Sequence, residues 1–315
     1  MAIIAGIDEV GYGPKLGPLV VCATAFRSAN PAVDLWKDLA PAVGRTARSR
    51  GLPVADSKRL FSQGRGIGTL EPTACAFLSL LPLLPGRSFR GLVARLTVGG
   101  DDTLAALPWY RANDFAIPQE TAAATIGGHA ARLWKSSVAA GAMAMGCWSA
   151  WSEPDEFNRR VDIVANKSDL LFDQAATLVK SVLAAAPGED AVIRIGKQGG
   201  RTFYLPGLVR EFGSVWVVQE SKETSIYEFR DGGRRVRIEF LMDGEDRDFC
   251  IALSSIVGKY LREGAMRLFN EYWIRQLSGL RRTAGYGADA RRFYGEIRPH
   301  LERLRIEPDA VLRKR

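Results

Sequence analysis

An α/β fold with a mixed sheet is what this sequence predicts, on three observations. Two apolar runs, Ile3 to Ile7 and Leu19 to Phe26, are joined by a Gly/Pro-rich connector and read as an antiparallel hairpin. Helix-like and strand-like segments alternate through the middle of the chain. Towards its far end, Ile256, Tyr260, Gly264, Leu268 and Tyr272 recur every four residues, the spacing of a helix from Ile251 to Trp273. Helices and strands interleaved in this way pack as layers on one sheet.

The remaining elements follow in order. Arg27 to Pro53 carries an amphipathic piece around Trp36 and a basic stretch, Arg45 to Arg50, and is expected to be a surface excursion. Asp56 or Ser57 can cap a helix start. Glu71 to Leu84 is expected to be helical up to its prolines. Pro85 to Pro118, rich in Gly, Pro and aromatic residues, has no clear period and reads as an insertion or small subdomain. Ala122 to Trp151 reads as one long Ala-rich helix, buried from Ser136 onward, and its tryptophans, with Trp109, as packing residues. Asp169 to Ala186 places Leu170, Ala175, Leu178 and Val182 on one side of a helix. The turn Pro187-Gly188-Glu189-Asp190 leads into a strand, Ala191 to Ile195. Ser214 to Gln219 is a second strand, and Ile226 to Met242 a hairpin around Asp231-Gly232-Gly233. The segment from Ala290 onward is basic and helical. Two parts are expected: 1–275, with insertions near 27–53 and 85–118, and a helical part, 276–315, packed on it.

Composition narrows the function. With 47% hydrophobic and 25% charged residues the chain is globular. Lys and Arg outnumber Asp and Glu by 43 to 35, a formal charge of +8 that favours polyanionic partners but also serves plain solubility. Cys22, Cys75, Cys147 and Cys250 are scattered, and His129 and His300 stand alone, so zinc, a disulfide scaffold and Cys–His catalysis lack support. No basic n-region precedes the first apolar run, and the longest apolar stretch is shorter than the roughly 20 residues a membrane span needs. A cytoplasmic monomer with reduced thiols, and no membrane, is expected.

The sharpest local feature is Asp8-Glu9 at the end of an apolar strand, followed by Gly11, Gly13, Gly17 and Pro18. Two adjacent carboxylates are costly to bury unpaired. On a regular strand neighbours face opposite ways, so one shared site requires a kink, which the glycines permit. The bland alternative is a hairpin with charges at its mouth.

The run Asp8-Glu9-Val10-Gly11-Tyr12-Gly13-Pro14-Lys15-Leu16-Gly17-Pro18-Leu19-Val20 resembles the opening signature of type 2 ribonucleases H, the bacterial ribonucleases HII and HIII. Asp56-Ser57-Lys58 is similar to that family's Asp-Ser-Lys helix start. Ser254-Ser255-Ile256-Val257-Gly258-Lys259, with Arg262, is similar to its Ala-Ser-Ile-x-Ala-Lys helix, and Thr283-Ala284-Gly285-Tyr286-Gly287 to its Gly-Tyr-Gly turn. The four blocks occur in the family's order, while most of 27–53 and 85–165 lies outside them.

The resemblance implies a ribonuclease H-like fold, a mixed β-sheet flanked by helices with a helical C-terminal part. It also implies a metal-dependent endonuclease acting on the RNA strand of RNA–DNA hybrids or at ribonucleotides in DNA. In the family four carboxylates hold two Mg²⁺ or Mn²⁺ ions. Asp8 and Glu9 match the first two. Glu245 matches the fourth by motif spacing, with Asp243, Asp246 and Asp248 as neighbours that could serve instead. The third should end the strand that begins near Ala191, where this chain has Gly196. That departure keeps open a catalytically silent, nucleic-acid-binding protein on the same fold. Gly11, Tyr12 and Gly13 stand where the family has Gly-Arg-Gly, which reads the ribose 2′-OH through backbone atoms. Ser57 and Lys58 suit a phosphate, and Tyr286 matches the sugar-stacking tyrosine. Lys197 and Arg201 in the Gly-rich turn, and Lys259 on the long helix, are further candidate nucleic-acid contacts. An unrelated phosphate-binding enzyme built on Gly199-Gly200 lacks the Lys-Ser/Thr that such a loop requires.

Overall fold

A computed structural model describes residues 1–61, 63–82, 88–99, 107–164 and 166–314. Seven strands form the main sheet: β1 (Ala2–Val10), β2 (Leu19–Ser28), β3 (Ala142–Ser152), β4 (Asp190–Gly196), β5 (Val215–Glu220), β6 (Thr224–Asp231) and β7 (Arg234–Leu241). Helices of two turns or more are α1 (Glu71–Leu78), α2 (Phe89–Leu96), α3 (Ala123–Ala140), α4 (Pro154–Val164), α5 (Lys167–Ala185), α6 (Leu205–Phe212), α7 (Phe249–Gln276) and α8 (Gly287–Ile297). The strand order is β3-β2-β1-β4-β7-β6-β5. Pairs β1–β4 and β4–β7 are parallel; the others are antiparallel. This is the mixed sheet flanked by helices that the sequence predicts.

Period-two alternation along β1 and β2 assigns the two faces. Ile4, Val20, Cys22 and Phe26 join the core under α7, whereas Ile3, Ala5, Ile7, Val21 and Ala23 join the core under α5. Helix α7 lies directly on β1. Gly6 makes that approach possible, because a Cβ there would fall 2.1 Å from the Ile251 backbone nitrogen. The Ser254 hydroxyl then donates to the Gly6 carbonyl at 2.9 Å. Asp248 caps the start of α7 by accepting from the Ile251 N–H.

Three expectations need correction. The long helix expected over Ala122–Trp151 ends at Ala140, where Gly141 adopts a left-handed cap (φ +61°), and Ala142–Ser152 is strand β3, paired with β2. Small residues on both faces of that strand blur its alternation. Residues 27–53 are not merely a surface excursion: Leu35, Trp36, Leu39, Val43 and Leu52 are buried under α7, and Trp36 donates its indole N–H to the Val54 carbonyl at 2.9 Å. Of the tryptophans read as packing residues, Trp109 and Trp151 are buried, but Trp134 is exposed on α3.

Residues 83–84, at the end of the expected Glu71–Leu84 helix, and 85–87 and 100–106, inside the Gly/Pro-rich stretch, lie outside the described residues. Its described part buries Phe89, Leu92, Trp109 and Tyr110 in the core shared with α7. The loop 119–121 is fixed by the buried Glu71 carboxylate, which accepts the N–H groups of Gln119, Glu120 and Thr121 at 2.7, 2.7 and 2.8 Å and the Tyr260 hydroxyl at 3.1 Å. No helix among the described residues is long and apolar enough to cross a membrane.

Candidate active site

Strand β1 stays regular to its end, where Val10 still pairs with Val20, and only then does Gly11 turn with φ +90°. The kink anticipated between Asp8 and Glu9 is therefore absent. Asp8 sits on the α7 face and is buried, opposite Cys22 of β2. Glu9, one residue from the strand's end, is half-buried. The end of the strand brings the two charges close without distorting it.

Burial, Glu9 and Glu245 raise the Asp8 carboxyl well above the usual range, against the moderating Ser255 hydroxyl. Burial and Glu245 likewise push Glu9 up to about 7, with Lys58 opposing. Burial works against the charge on Lys58, but Glu245, Asp56, Asp8 and Glu9 outweigh it and hold its pKa up. Asp8, Glu9, Glu245 and Lys58 thus share one electrostatic site. Ser57 is buried and hydrogen-bonded to Ser255 at 2.9 Å, so it ties the Asp56–Lys58 turn to α7. Lys58 follows the Asp56 cap, its N–H donating to the Asp56 carboxylate at 2.9 Å.

The acidic residues before α7 separate by their partners. Asp246 accepts two hydrogen bonds from Arg59 at 2.7 and 2.8 Å, and Asp248 pairs with Arg194 at 3.0 Å besides capping α7. Asp243 is exposed, with φ +50°. Glu245 is the one of the four that raises both Asp8 and Glu9. Gly196, ending β4, borders Asp8: a Cβ built there would lie 3.0 Å from Asp8 Oδ1.

The other candidates lie at varying distances from this centre. Tyr12 stacks beneath the Lys167 ammonium, 4.8 Å from the ring centroid, beside an open cavity of about 540 Å³ that Gly199 and Arg201 also line. A Cβ on Gly13 would meet nothing within 4 Å, which leaves that side of the turn open. Tyr286 is exposed, with Arg262 5.5 Å from its ring. Its turn is stitched to the first one, for the Gly285 carbonyl accepts from Lys15 N and Leu16 N at 2.8 and 3.3 Å.

Three basic candidates are each held by a partner within the protein. Lys197 donates to the Ser221 carbonyl at 2.6 Å and the Ser225 hydroxyl at 3.1 Å, Arg201 pairs with Asp169, and Lys259 is buried against Glu263 at 2.6 Å and over Phe61. The residues around the glycine turn that sequence reasoning missed are Glu153, at the end of β3, and Arg313. No local pattern singles either out.

Neither any protein-family model nor any curated protein sequence matches the chain. Solved structures do. Ribonuclease H2 from Pyrococcus horikoshii OT3 superposes with a TM-score of 0.50 over 98% of this chain and 92% of that one, at 13% identity. A point mutant of Bst-RNase HIII superposes with a TM-score of 0.51 over 98% of this chain and 65% of that one, at 19% identity. The chain has a ribonuclease H-like fold. The superpositions show the fold alone, and at identities this low the chemistry is left to the residues. In this ribonuclease H-like sheet, Asp8 lies two residues from the end of β1, and Gly196 ends the neighbouring parallel strand.

The donor set consists of carboxylate oxygens, which suit a hard divalent cation such as Mg²⁺ or Mn²⁺. Among the described residues, no three His, Cys, Asp or Glu side chains already converge on one metal position. The donors fit in kind, and Gly196 beside Asp8 adds no side chain to them.

Proposed function

We propose that the chain is a metal-dependent endonuclease acting on the RNA strand of RNA–DNA hybrids, or at ribonucleotides embedded in DNA. The observation that carries this reading is Asp8 near the end of β1, set between Gly196 and the linked hydroxyls of Ser255 and Ser57, with Glu9 and Glu245 in its electrostatic reach. Asp8, Glu9 and Glu245 would hold Mg²⁺ or Mn²⁺, which when bound supplies an activated water and stabilises the leaving oxygen. Lys58 places a positive charge where a phosphate would approach. Gly11, Tyr12 and Gly13 would lie along the ribose-bearing strand, and Tyr286 would offer its exposed ring to a sugar.

Gly196 supports a second reading, a silent relative that grips the same nucleic acids without cutting them. A site lacking one carboxylate has weaker metal affinity and a coordination position left for water. Cleavage of labelled hybrid, and of duplex DNA containing one ribonucleotide, with Mg²⁺ or Mn²⁺ separates the two. Cutting that disappears in Asp8→Asn supports the nuclease. Binding that weakens steeply with salt, without cutting, supports the silent protein. An absence of both sinks the two readings together.

A further inference from the structure

We propose that Arg313 is a positioning residue for the nucleic-acid site, holding the Gly11–Gly17 turn in the shape it presents to a ligand. The inference rests on the nucleic-acid reading above, but its geometry stands by itself. The Arg313 side chain is 1% exposed and reaches under the turn that follows Asp8-Glu9. Its two terminal nitrogens donate to the carbonyls of Gly11 at 2.5 Å, Pro14 at 3.4 Å and Gly17 at 2.6 Å. The backbone joins in: Arg313 N–H donates to the Lys15 carbonyl at 2.9 Å, and Leu16 bridges to Leu312 in antiparallel fashion. Asn158 of α4 clamps the other side of this segment, donating to the Leu312 carbonyl at 2.9 Å and accepting from Lys314 N–H at 2.8 Å.

A second guanidinium serves the same turn. Arg262 of α7 is fully buried and donates to the Leu16 and Ala284 carbonyls at 3.3 and 3.4 Å. It touches Gly11 so closely that a Cβ there would lie 2.6 Å from its Nε. Two guanidiniums buried near each other oppose folding, and Glu263, 3.5 Å from Arg262, offsets them only in part. Two strands can be joined by a short turn that needs no such support. Arginines in this arrangement make sense where the exact path of the turn matters, and its outer side carries Tyr12 and the open face of Gly13. Because Lys15 and Leu16 also bond to Gly285, a shift of the turn would carry the Tyr286 segment with it.

The test uses the full chain with Arg313→Met and Arg313→Lys. Three quantities are read: thermal stability, amide hydrogen exchange, and binding of a labelled RNA–DNA hybrid in metal-free buffer. Arg313→Met is expected to speed exchange about tenfold or more at residues 11–17 and 283–287, while α7 and the sheet stay protected. Hybrid affinity should fall about tenfold, and Arg313→Lys should recover part of both losses, since an ammonium can reach fewer of the three carbonyls. Wild-type exchange and wild-type affinity in Arg313→Met would overturn the proposal, as would a uniform loss of protection across the whole chain. If Arg313→Met does not fold, Arg313→Lys is judged by the same selective pattern. Selective loosening of the turn in a protein whose wild type binds no nucleic acid would keep Arg313's hold on the turn and remove the nucleic-acid reading instead.

Discussion

Gly196 and Asp8 meet across the parallel seam of β1 and β4 so closely that a Cβ at position 196 would lie 3.0 Å from Asp8 Oδ1, tight enough that the Asp8 side chain must give slightly. Gly196 does not have a positive φ, so a side chain can be introduced without backbone strain. Gly196→Asp would add a carboxylate beside one already disfavoured in its charged form. Without metal, the variant should be less stable than wild type by about 1–3 kcal/mol. With Mn²⁺, its melting temperature should rise more than that of wild type, because the new ligand binds the ion. Equal Mn²⁺ shifts in the two proteins would show that position 196 does not face a metal site.

The contact between α7 and β1 gives a second expectation. Gly6→Ala would push a methyl group into the Ile251 backbone, which cannot move aside as a flexible side chain could. A loss of about 3 kcal/mol in urea unfolding is expected. A loss below about 0.5 kcal/mol, the range of ordinary surface changes, would mean that α7 sits further from the sheet.

Glu153 sets a pH dependence away from the carboxylate site. It is buried, accepts the Tyr110 hydroxyl at 2.8 Å, and burial pushes its carboxyl up to about 7 despite that bond and Arg313. The folded protein therefore keeps a proton on Glu153 that the unfolded chain releases near pH 4.3. Its contribution to stability is fully present below the unfolded value and is lost as pH rises through about 7. The span is on the order of 3 kcal/mol. Glu153→Gln, which cannot ionise, should lose less stability than wild type between pH 5 and pH 8 in denaturant titrations. Parallel profiles would assign the pH dependence to other groups.

Glu71 illustrates a carboxylate used for structure. Glu71→Ala leaves three loop N–H groups and the Tyr260 hydroxyl without their shared acceptor. A cost of about 3 kcal/mol is expected, with faster amide exchange at 119–121 as its local signature. Glu71→Gln, which keeps an acceptor oxygen, should cost less.

Much of this architecture is legible in the sequence because each element obeys one period. The β1–β2 and β6–β7 hairpins carry their turn glycines between apolar runs, and α7 repeats its buried residues at helical spacing. Strand β3 was hidden by its own composition: Ala, Gly, Met and Trp favour no single period, and only Gly141 marks the break. At the candidate site, Asp8, Glu9, Lys58 and Glu245 lie within electrostatic reach of one another, and Ser57 bonds to Ser255 beside Asp8. Lys197, Arg201 and Lys259 each have a polar partner of their own, which charge alone cannot reveal. Arg313 was illegible for another reason. One arginine in a basic segment looks like every other until the fold shows which carbonyls it meets.

The bond from Arg313 to the Gly11 carbonyl spans 302 positions of the chain. A polypeptide emerging from the ribosome cannot close this contact until every residue between the two has been synthesised. Closure over such a separation is also among the slowest steps of ordering a chain. A chain terminated before Arg313 therefore lacks this hold on the glycine turn, whatever else of it has folded.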